Sequence, residues 1–235
     1  MKTFLGLIVL AIILVGGYFW LHNSKSKTTT GQQDQTSSQT SDSSTTPPPS
    51  DSTSSDNSNS QTPQVSDHPV ATIDTSLGSF KVTLDHTAAP KTVENFVKLA
   101  DEGYYDGLKF HRILKDFVIQ GGDPNSKSGD PSTWGQGGPG YTVPAEIKLK
   151  ANVGAIGMAS TQAQGPSSGS QFFVVTTESP DTHTALDGNY TFFGYVTSGM
   201  DVVTKIAAVQ VEPNLYGEAS LPVTPVVINK ITIQE

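Results

Sequence analysis

Hydrophobic and polar residues divide the chain into three zones. Residues 4–21 form an almost continuous apolar run without a charged residue. Residues 23–66 are mostly Ser and Thr, with Gln, Asp, Asn and Pro filling most of the rest. Residues 67–235 alternate short apolar runs with glycine-rich turns. We therefore predict a transmembrane anchor over residues 1–22, a disordered linker over 23–66 and one folded domain over 67–235.

The length of the first apolar run favours a membrane span. Its eighteen residues, at a helical rise of about 1.5 Å, cover roughly 27 Å, close to the thickness of a bilayer core. A cleaved signal peptide, the main alternative, has a shorter apolar stretch and a small-residue cleavage site. Tyr18, Phe19 and Trp20 end this run instead, and aromatic side chains are typical of the membrane interface. We predict a single-pass anchor in the cell membrane with the folded domain extracytoplasmic; a buried helix of a soluble protein is a further alternative.

The second zone cannot form a hydrophobic core. Val65 is its only aliphatic residue, so apolar burial cannot offset the entropy that an ordered chain would lose. A flexible coil of this length spans roughly 35–40 Å. The zone is either a tether that holds the domain away from the membrane or a tolerated low-complexity insertion, and its composition fits both.

The third zone has the pattern of a β-protein with two helices. Helical spacing of apolar residues predicts one helix over residues 90–103, from Pro90 to Gly103, and another over 201–209. The runs of strand character are VATIDTS (70–76), FKVTLD (80–85), KFHRIL (109–114), FVIQG (117–121), GAIGMAS (154–160), SQFFVVT (170–176), TFFGYV (191–196) and VVINKITIQ (226–234). Many short strands with glycine-rich turns favour a closed antiparallel barrel, which leaves no strand edge exposed.

Composition excludes several classes of function. A net charge of −8 repels phosphate, so we expect no nucleic-acid partner. The absence of cysteine excludes disulfides, thiolate metal sites and cysteine catalysis. The five histidines have no ligand-like spacing, and the chain has neither a GxSxG elbow nor a GxxxxGK phosphate loop. We therefore expect no metal and no phosphate-binding cofactor.

Arg112 is the only arginine among the 14 basic residues of the chain. A lone arginine in a strand usually forms an ion pair, and Asp116 and Asp123 are nearby candidates in the sequence. Its position among apolar residues also suits a directed hydrogen-bond donor that keeps its charge in a partly apolar site. The sequence alone leaves both interpretations open.

Strand alternation predicts which neighbours of Arg112 share a surface. Successive residues of a strand point to opposite faces, so Gln171 and Phe173 lie on one face of SQFF. In FVIQ, Phe117 shares a face with Ile119 and lies opposite Val118, unless a bulge intervenes. We expect an apolar floor that carries a few strong hydrogen-bonding groups.

Four segments resemble the cyclophilin family of peptidyl-prolyl cis–trans isomerases, in its bacterial-like form. They are FHRILKDFVIQGGDP (110–124), GPGYTVPAE (138–146), GSQFFVVT (169–176) and ALDGNYTFFGYV (185–196), in the order of the family. The resemblance covers nearly all of residues 67–235. It implies a closed eight-stranded antiparallel β-barrel capped by two α-helices, a monomer, isomerase activity and no cofactor.

The resemblance also assigns roles to individual positions. It implies that Arg112 and Gln120 are catalytic. It implies a substrate-binding surface formed by Phe117, Val118, Ala159, Gln171, Phe173, Leu186 and Tyr190. Ala185 stands where many members carry a tryptophan that contributes to cyclosporin binding, which argues against tight binding of that drug.

This chemistry suits the residues that are present. Rotation about an X–Pro bond makes and breaks no covalent bond, so it needs a donor aimed at the twisted amide nitrogen, not a nucleophile. We predict an isomerase that acts on proline-containing segments of exported or cell-surface proteins. One alternative is a binding module or chaperone for such segments that does not require turnover. Another is a small-ligand barrel with an apolar lumen.

Overall fold

A computed structural model describes residues 67–235 of the chain. The anchor predicted over residues 1–22 and the linker predicted over 23–66 lie outside the described residues. Within residues 67–235, no helix combines the length and the apolar character that a membrane crossing requires.

Eleven strands and three α-helices make up the described part. The strands are β1 (Val70–Thr75), β2 (Gly78–Leu84), β3 (Lys109–Phe110), β4 (Arg112–Leu114), β5 (Val118–Gly121), β6 (Ala155–Met158), β7 (Phe172–Val175), β8 (Phe192–Ser198), β9 (Val211–Pro213), β10 (Ala219–Pro222) and β11 (Val226–Gln234). The helices are α1 (Pro90–Asp101), α2 (Pro180–Leu186) and α3 (Met200–Ala207), with 3₁₀ turns at Pro124–Lys127 and Pro131–Thr133.

Nine strands form one antiparallel sheet in the order β3-β11-β1-β2-β8-β6-β7-β5-β4. The two ends of the sheet, β3 and β4, are separated in the chain by His111 alone, so the sheet curls into a nearly closed barrel. The predicted barrel is thus present, with nine strands instead of eight. The run KFHRIL divides at His111 because its first half pairs with β11 and its second half pairs with β5.

Both predicted helices form. Pro90 opens α1, and Gly103 follows its end with a φ of 69°, which suits glycine because a side chain is strained there. The apolar face of α1 is buried at Val93, Phe96 and Val97. Helix α3 begins one residue before the predicted range and ends two residues earlier.

Three elements are absent from the sequence-based prediction: one short helix and the two strands of a hairpin. Helix α2 has seven residues, of which only Ala185 and Leu186 are apolar, so no helical period is visible. Strands β9 and β10 form a separate two-stranded sheet. Each has a proline and few apolar residues, a composition that disfavours a strand in the middle of a sheet but is tolerated at an edge.

Side chains from the inner faces of the strands fill the barrel. Phe80, Phe110, Phe172 and Phe193 are fully buried in this main core. The rings of Phe110 and Phe172 lie edge to face with centroids 6.1 Å apart. This packed interior leaves no lumen within the described barrel, which argues against the alternative of a small-ligand barrel.

Candidate active site

A second apolar cluster covers the outer face of the barrel at β5, β6, β7 and β8. It is separate from the main core and includes Val118, Phe173, Leu186, Tyr190 and Phe192. Helix α2 contributes Leu186 to this cluster, and β7 is buried on both faces. A pocket of about 720 Å³ opens on this cluster.

All nine residues predicted for the site line this one pocket. They are Arg112, Phe117, Val118, Gln120, Ala159, Gln171, Phe173, Leu186 and Tyr190. The remaining lining comes mainly from the glycine-rich segment 135–142 and from Ser160 and Thr161. The long-range pairing of strands therefore brings together residues that are spread over 79 sequence positions.

The apolar wall of the pocket is well packed. The ring of Phe173 contacts Tyr190 and Phe192 edge to face, with centroids 5.5 and 5.7 Å away. Gly157 lies directly beneath this ring, because a Cβ atom added there would come within 2.8 Å of Phe173 Cζ. The wall is therefore held at a fixed position before any substrate binds.

Phe117 lines the pocket from a turn and not from a strand, as the sequence analysis had assumed. It lies in the turn that precedes β5, next to Asp116, whose φ of 57° is left-handed. Ile119 points into the main core, whereas Phe117 packs on the outer cluster. The predicted shared face of these two residues is wrong, because alternation applies only within a strand. The shared face predicted for Gln171 and Phe173 is confirmed.

A chain of hydrogen bonds links the polar residues of the pocket. Arg112 Nη1 donates to Gln120 Oε1 at 3.3 Å, and Gln120 Nε2 donates to Gln171 Oε1 at 3.0 Å. Gln171 Nε2 donates to the backbone carbonyls of Gly135 at 3.1 Å and Gly137 at 2.7 Å. These carbonyls only accept, so they fix the orientation of both amides and present the Gln120 oxygen to the guanidinium.

Arg112 also forms a bidentate ion pair with Glu218. Its Nε and Nη2 atoms donate to the two carboxylate oxygens at 2.7 and 2.8 Å. Both side chains are largely shielded, with 14% and 18% of their surfaces exposed. Burial acts to raise the pKa of Glu218, but the hydrogen bonds and charge of Arg112 outweigh it and lower that pKa below its usual value. The sequence-based candidates for this partner, Asp116 and Asp123, are both wrong.

Comparison with known proteins identifies the family. The model of the family described as "Cyclophilin type peptidyl-prolyl cis-trans isomerase/CLD" matches residues 70–233. The chain belongs to the cyclophilin-type peptidyl-prolyl cis–trans isomerases. The predicted enzyme class is thereby confirmed.

Curated relatives and solved structures agree with this family. The cyclophilin domain is 38% identical over 148 residues to the Arabidopsis thaliana peptidyl-prolyl cis-trans isomerase CYP18-2, covering 61% of this chain and 84% of the relative. It is 47% identical over 117 residues to peptidyl-prolyl cis-trans isomerase B of Bacillus subtilis, covering 48% and 73%. A crystal structure of a Cryptosporidium parvum cyclophilin-type isomerase superposes with a TM-score of 0.61 at 30% identity, covering 72% of this chain and 98% of that one.

Asp123 of this cyclophilin binds the backbone of the segment that lines the pocket. It is fully buried, and its carboxylate accepts hydrogen bonds from the backbone N–H groups of Asn125, at 2.8 Å, and Gly135. It therefore anchors the segment whose carbonyls orient Gln171, and it forms no ion pair with Arg112.

None of the shifted groups at this site titrates near neutral pH. Burial lowers the pKa of His111 to about 4, with Arg112 acting in the same direction and Asp123 opposing. Burial raises the pKa of the Tyr190 phenol, which Arg112 partly offsets. With Glu218 shifted downward, the charges around Arg112 stay constant over the neutral range.

Sequence reasoning does not find two residues at this site, Glu218 and Tyr216. Both belong to the β9–β10 hairpin, and Glu218 is 106 positions from Arg112 in the chain. A glutamate in a polar turn is ordinary for a solvated surface, so no local signal marks it. Only the placement of the hairpin against β4 reveals the contact.

Proposed function

We propose that Arg112 catalyses X–Pro isomerisation by donating a hydrogen bond to the twisted amide. The observation that carries this proposal is that the only arginine of the chain lines the same pocket as the packed wall of Phe173, Leu186 and Tyr190. The wall holds the proline ring, and the guanidinium faces the bond that turns.

The energetics of the reaction favour this arrangement. The amide barrier is about 18–20 kcal/mol, and a turnover of roughly 10³ per second requires lowering it by about 6–7 kcal/mol. When the bond twists, the proline nitrogen regains a lone pair that the planar ground state lacks. A donor aimed at that lone pair stabilises the transition state more than the ground state, which is the condition for catalysis.

Arginine suits this task better than lysine. A guanidinium keeps its charge when desolvated and presents N–H groups in fixed directions, whereas an ammonium loses its proton more readily and rotates freely. The hydrogen bond to Gln120 holds the donor in the plane set by the amide chain. We expect Gln120 to act on the reaction through Arg112.

Peptide isomerisation by the full chain in mild detergent tests the proposal. Arg112→Lys and Arg112→Ala should each lower kcat/KM by about 100-fold or more, since a preorganised donor is typically worth that much. Lys115→Ala, which removes an exposed charge three residues away, should change the rate by less than about twofold. Parent-like rates for both Arg112 variants would show that the mechanism is wrong.

We propose that the substrates are proline-containing segments of proteins. The isomerase family supports this, as does the solved structure of the Cryptosporidium parvum cyclophilin in the presence of the dipeptide Ala-Pro, at 30% identity and a TM-score of 0.60. The bacterial-like assignment is supported by the 47% identity to the Bacillus subtilis enzyme. A chaperone that does not require turnover would still work after loss of Arg112. Folding of substrate proteins in cells that express the Arg112→Lys variant therefore separates the two roles.

We further propose that this cyclophilin is a monomer tethered outside the cytoplasmic membrane, where it acts on exported or cell-surface proteins. The apolar run at residues 4–21 and the Ser/Thr-rich segment at 23–66 support the tether. Isomerisation needs neither ATP nor a soluble cofactor, so it can proceed where none is supplied. Protease added to intact cells should cut the linker and release an active fragment of about 170 residues, a size set by the domain. Protection of the linker until lysis would reverse the topology, and active enzyme free in the medium would indicate a cleaved signal peptide.

A further inference from the structure

The β9–β10 hairpin stands beside the pocket and contributes to it in two ways. Its turn carries Glu218, which binds the Arg112 guanidinium, and Tyr216, which lines the pocket itself. Strand β10 packs against β4, the strand that begins at Arg112. The hairpin is therefore attached to the barrel at the strand of the catalytic arginine.

The hydrogen bonds of Arg112 leave a defined part of the guanidinium available. The group has five N–H bonds. Glu218 accepts one from Nε and one from Nη2, and Gln120 accepts one from Nη1. Among the described residues, one N–H on each terminal nitrogen then remains for a substrate. The Glu218 carboxylate and the Gln120 amide thus orient the guanidinium and use three of its five N–H bonds.

Glu218 is itself held in place by the turn of the hairpin. Its backbone N–H donates to Asn214 Oδ1 at 3.1 Å, and its carbonyl accepts from the Asn214 backbone N–H at 2.8 Å. Asn214 Nδ2 also donates to Ser220 Oγ at 3.3 Å across the hairpin. A bidentate carboxylate on a turn held by hydrogen bonds fixes both the plane and the direction of a guanidinium. The single hydrogen bond that Arg112 donates to Gln120 does not fix both.

The tip of the hairpin exposes apolar surface next to the pocket. Tyr216 is 62% exposed and Leu215 is 71% exposed, although large apolar side chains on a surface are normally isolated. Tyr216 and Arg112 line the same two neighbouring pockets, so Tyr216 adds an aromatic side chain to the rim near the guanidinium. A substrate residue next to the bound proline is the ligand that we expect at this surface.

We propose that the turn of the β9–β10 hairpin, residues 214–218, is part of the active site: Glu218 positions Arg112, and Tyr216 binds an apolar residue that flanks the substrate proline. This inference rests on the proposed catalytic role of Arg112. It makes Glu218 a positioning residue and Tyr216 a determinant of specificity.

Steady-state kinetics of the full chain separate the two roles. Glu218→Gln should lower kcat by about 10- to 100-fold with KM within about threefold, because a misdirected donor weakens the transition state and not the ground state. Tyr216→Ala should raise KM by about 3- to 10-fold for a peptide with phenylalanine beside proline, and leave a glycine-flanked peptide unchanged. Glu212→Gln, an exposed glutamate on β9 of the same hairpin, is the matched control and should match the parent.

The single arginine provides a second readout that does not depend on activity. Arginine labelled with ¹⁵N at Nε gives one side-chain signal from the whole chain, and its hydrogen exchange reports how firmly the guanidinium is held. Glu218→Gln should accelerate this exchange by about tenfold or more, with Glu212→Gln unchanged. If Glu218→Gln lowers the yield of folded protein, Glu218→Asp, which keeps the charge but shortens the reach, serves in its place.

The outcomes distinguish this inference from the function on which it rests. If Arg112→Lys is inactive while Glu218→Gln keeps both the parent kcat and the parent exchange rate, the positioning role is overturned and the catalytic role of Arg112 stands. If Arg112→Lys has the parent rate, the catalytic role itself fails. A Tyr216→Ala variant with parent KM for both peptides overturns the binding role of the hairpin tip.

Discussion

The two faces of strands β5 and β7 perform different tasks. Ile119 and Phe172 point into the barrel, where both are fully buried in the main core. Gln120 and Phe173, the next residues along the same strands, point outward and line the pocket. Burial does not distinguish the two faces of β7, because Phe173 is only 5% exposed, whereas on β5 Gln120 is half-buried. In these two strands, successive residues therefore belong alternately to the core and to the pocket.

The inner face should give the largest effect on stability. Ile119→Ala should lower the free energy of unfolding by about 2–5 kcal/mol, because it leaves a cavity in a packed core, measured by denaturant titration. Activity per folded molecule should stay within about twofold of the parent. Ile119→Val, which removes one methylene, should cost about 0.5–1.5 kcal/mol. A parent-like melting curve combined with loss of activity would break the comparison between the faces.

The neighbouring outer residue should give the converse result. Gln120→Ala should lower kcat/KM by about 10- to 100-fold, since a hydrogen bond to a charged group contributes about 1.5–3 kcal/mol and Arg112 loses one. Its free energy of unfolding should change by no more than about 1 kcal/mol. Measuring both quantities on the same preparation sharpens the contrast with Ile119→Ala. Full activity in Gln120→Ala would show that Gln120 does not position Arg112.

The rim of the outer face should control drug binding. Ala185 adjoins Leu186 in helix α2 and is partly exposed, so a tryptophan there has room to extend the apolar wall. Ala185→Trp should tighten inhibition by cyclosporin by about 5- to 10-fold, as a well-placed tryptophan commonly contributes that much. Ala185→Leu is the control for added apolar area without an indole. Equal inhibition of all three proteins would separate drug sensitivity from this position.

Acid should weaken the fold through His111, which joins β3 to β4. Its pKa falls from 6.5 to about 4 on folding, mainly because of burial. Between these values the unfolded chain binds a proton that the folded chain does not, so stability should decrease as pH falls from about 6.5 to about 4. Denaturant titrations at pH 7, 5.5 and 4.5 measure this slope, and His111→Gln should reduce it. An unchanged slope would assign the acid sensitivity to other groups.

Activity should show the smallest response to pH. Arginine and amide side chains do not titrate near neutrality, and the shifts of His111 and Glu218 are both downward. The value of kcat/KM should therefore vary by less than about twofold between pH 6 and 8. A bell-shaped profile centred near pH 7 would indicate acid–base chemistry on the outer face instead.

Local patterns and family motifs in the sequence predicted most of the barrel and the nine residues that line the pocket. All eight apolar runs become strands of the main sheet, and both long helices form where the apolar period places them. This succeeds because alternation and helical spacing are local properties that a buried face imposes on the chain. The family motifs are also local, and most of the pocket residues lie within them, so recognising the motifs was enough to predict these residues.

The closure of the barrel and the ion pair of Arg112 became visible only in the tertiary structure. The break at His111 arises because the two halves of one apolar run pair with two different strands, β11 and β5. Phe117 faces the pocket because it lies in a turn, where alternation no longer applies. Glu218 meets Arg112 because a hairpin of weak strand character packs against β4. Such contacts depend on the relative placement of distant segments, and a carboxylate in a polar turn has the same local sequence whether it faces solvent or a guanidinium.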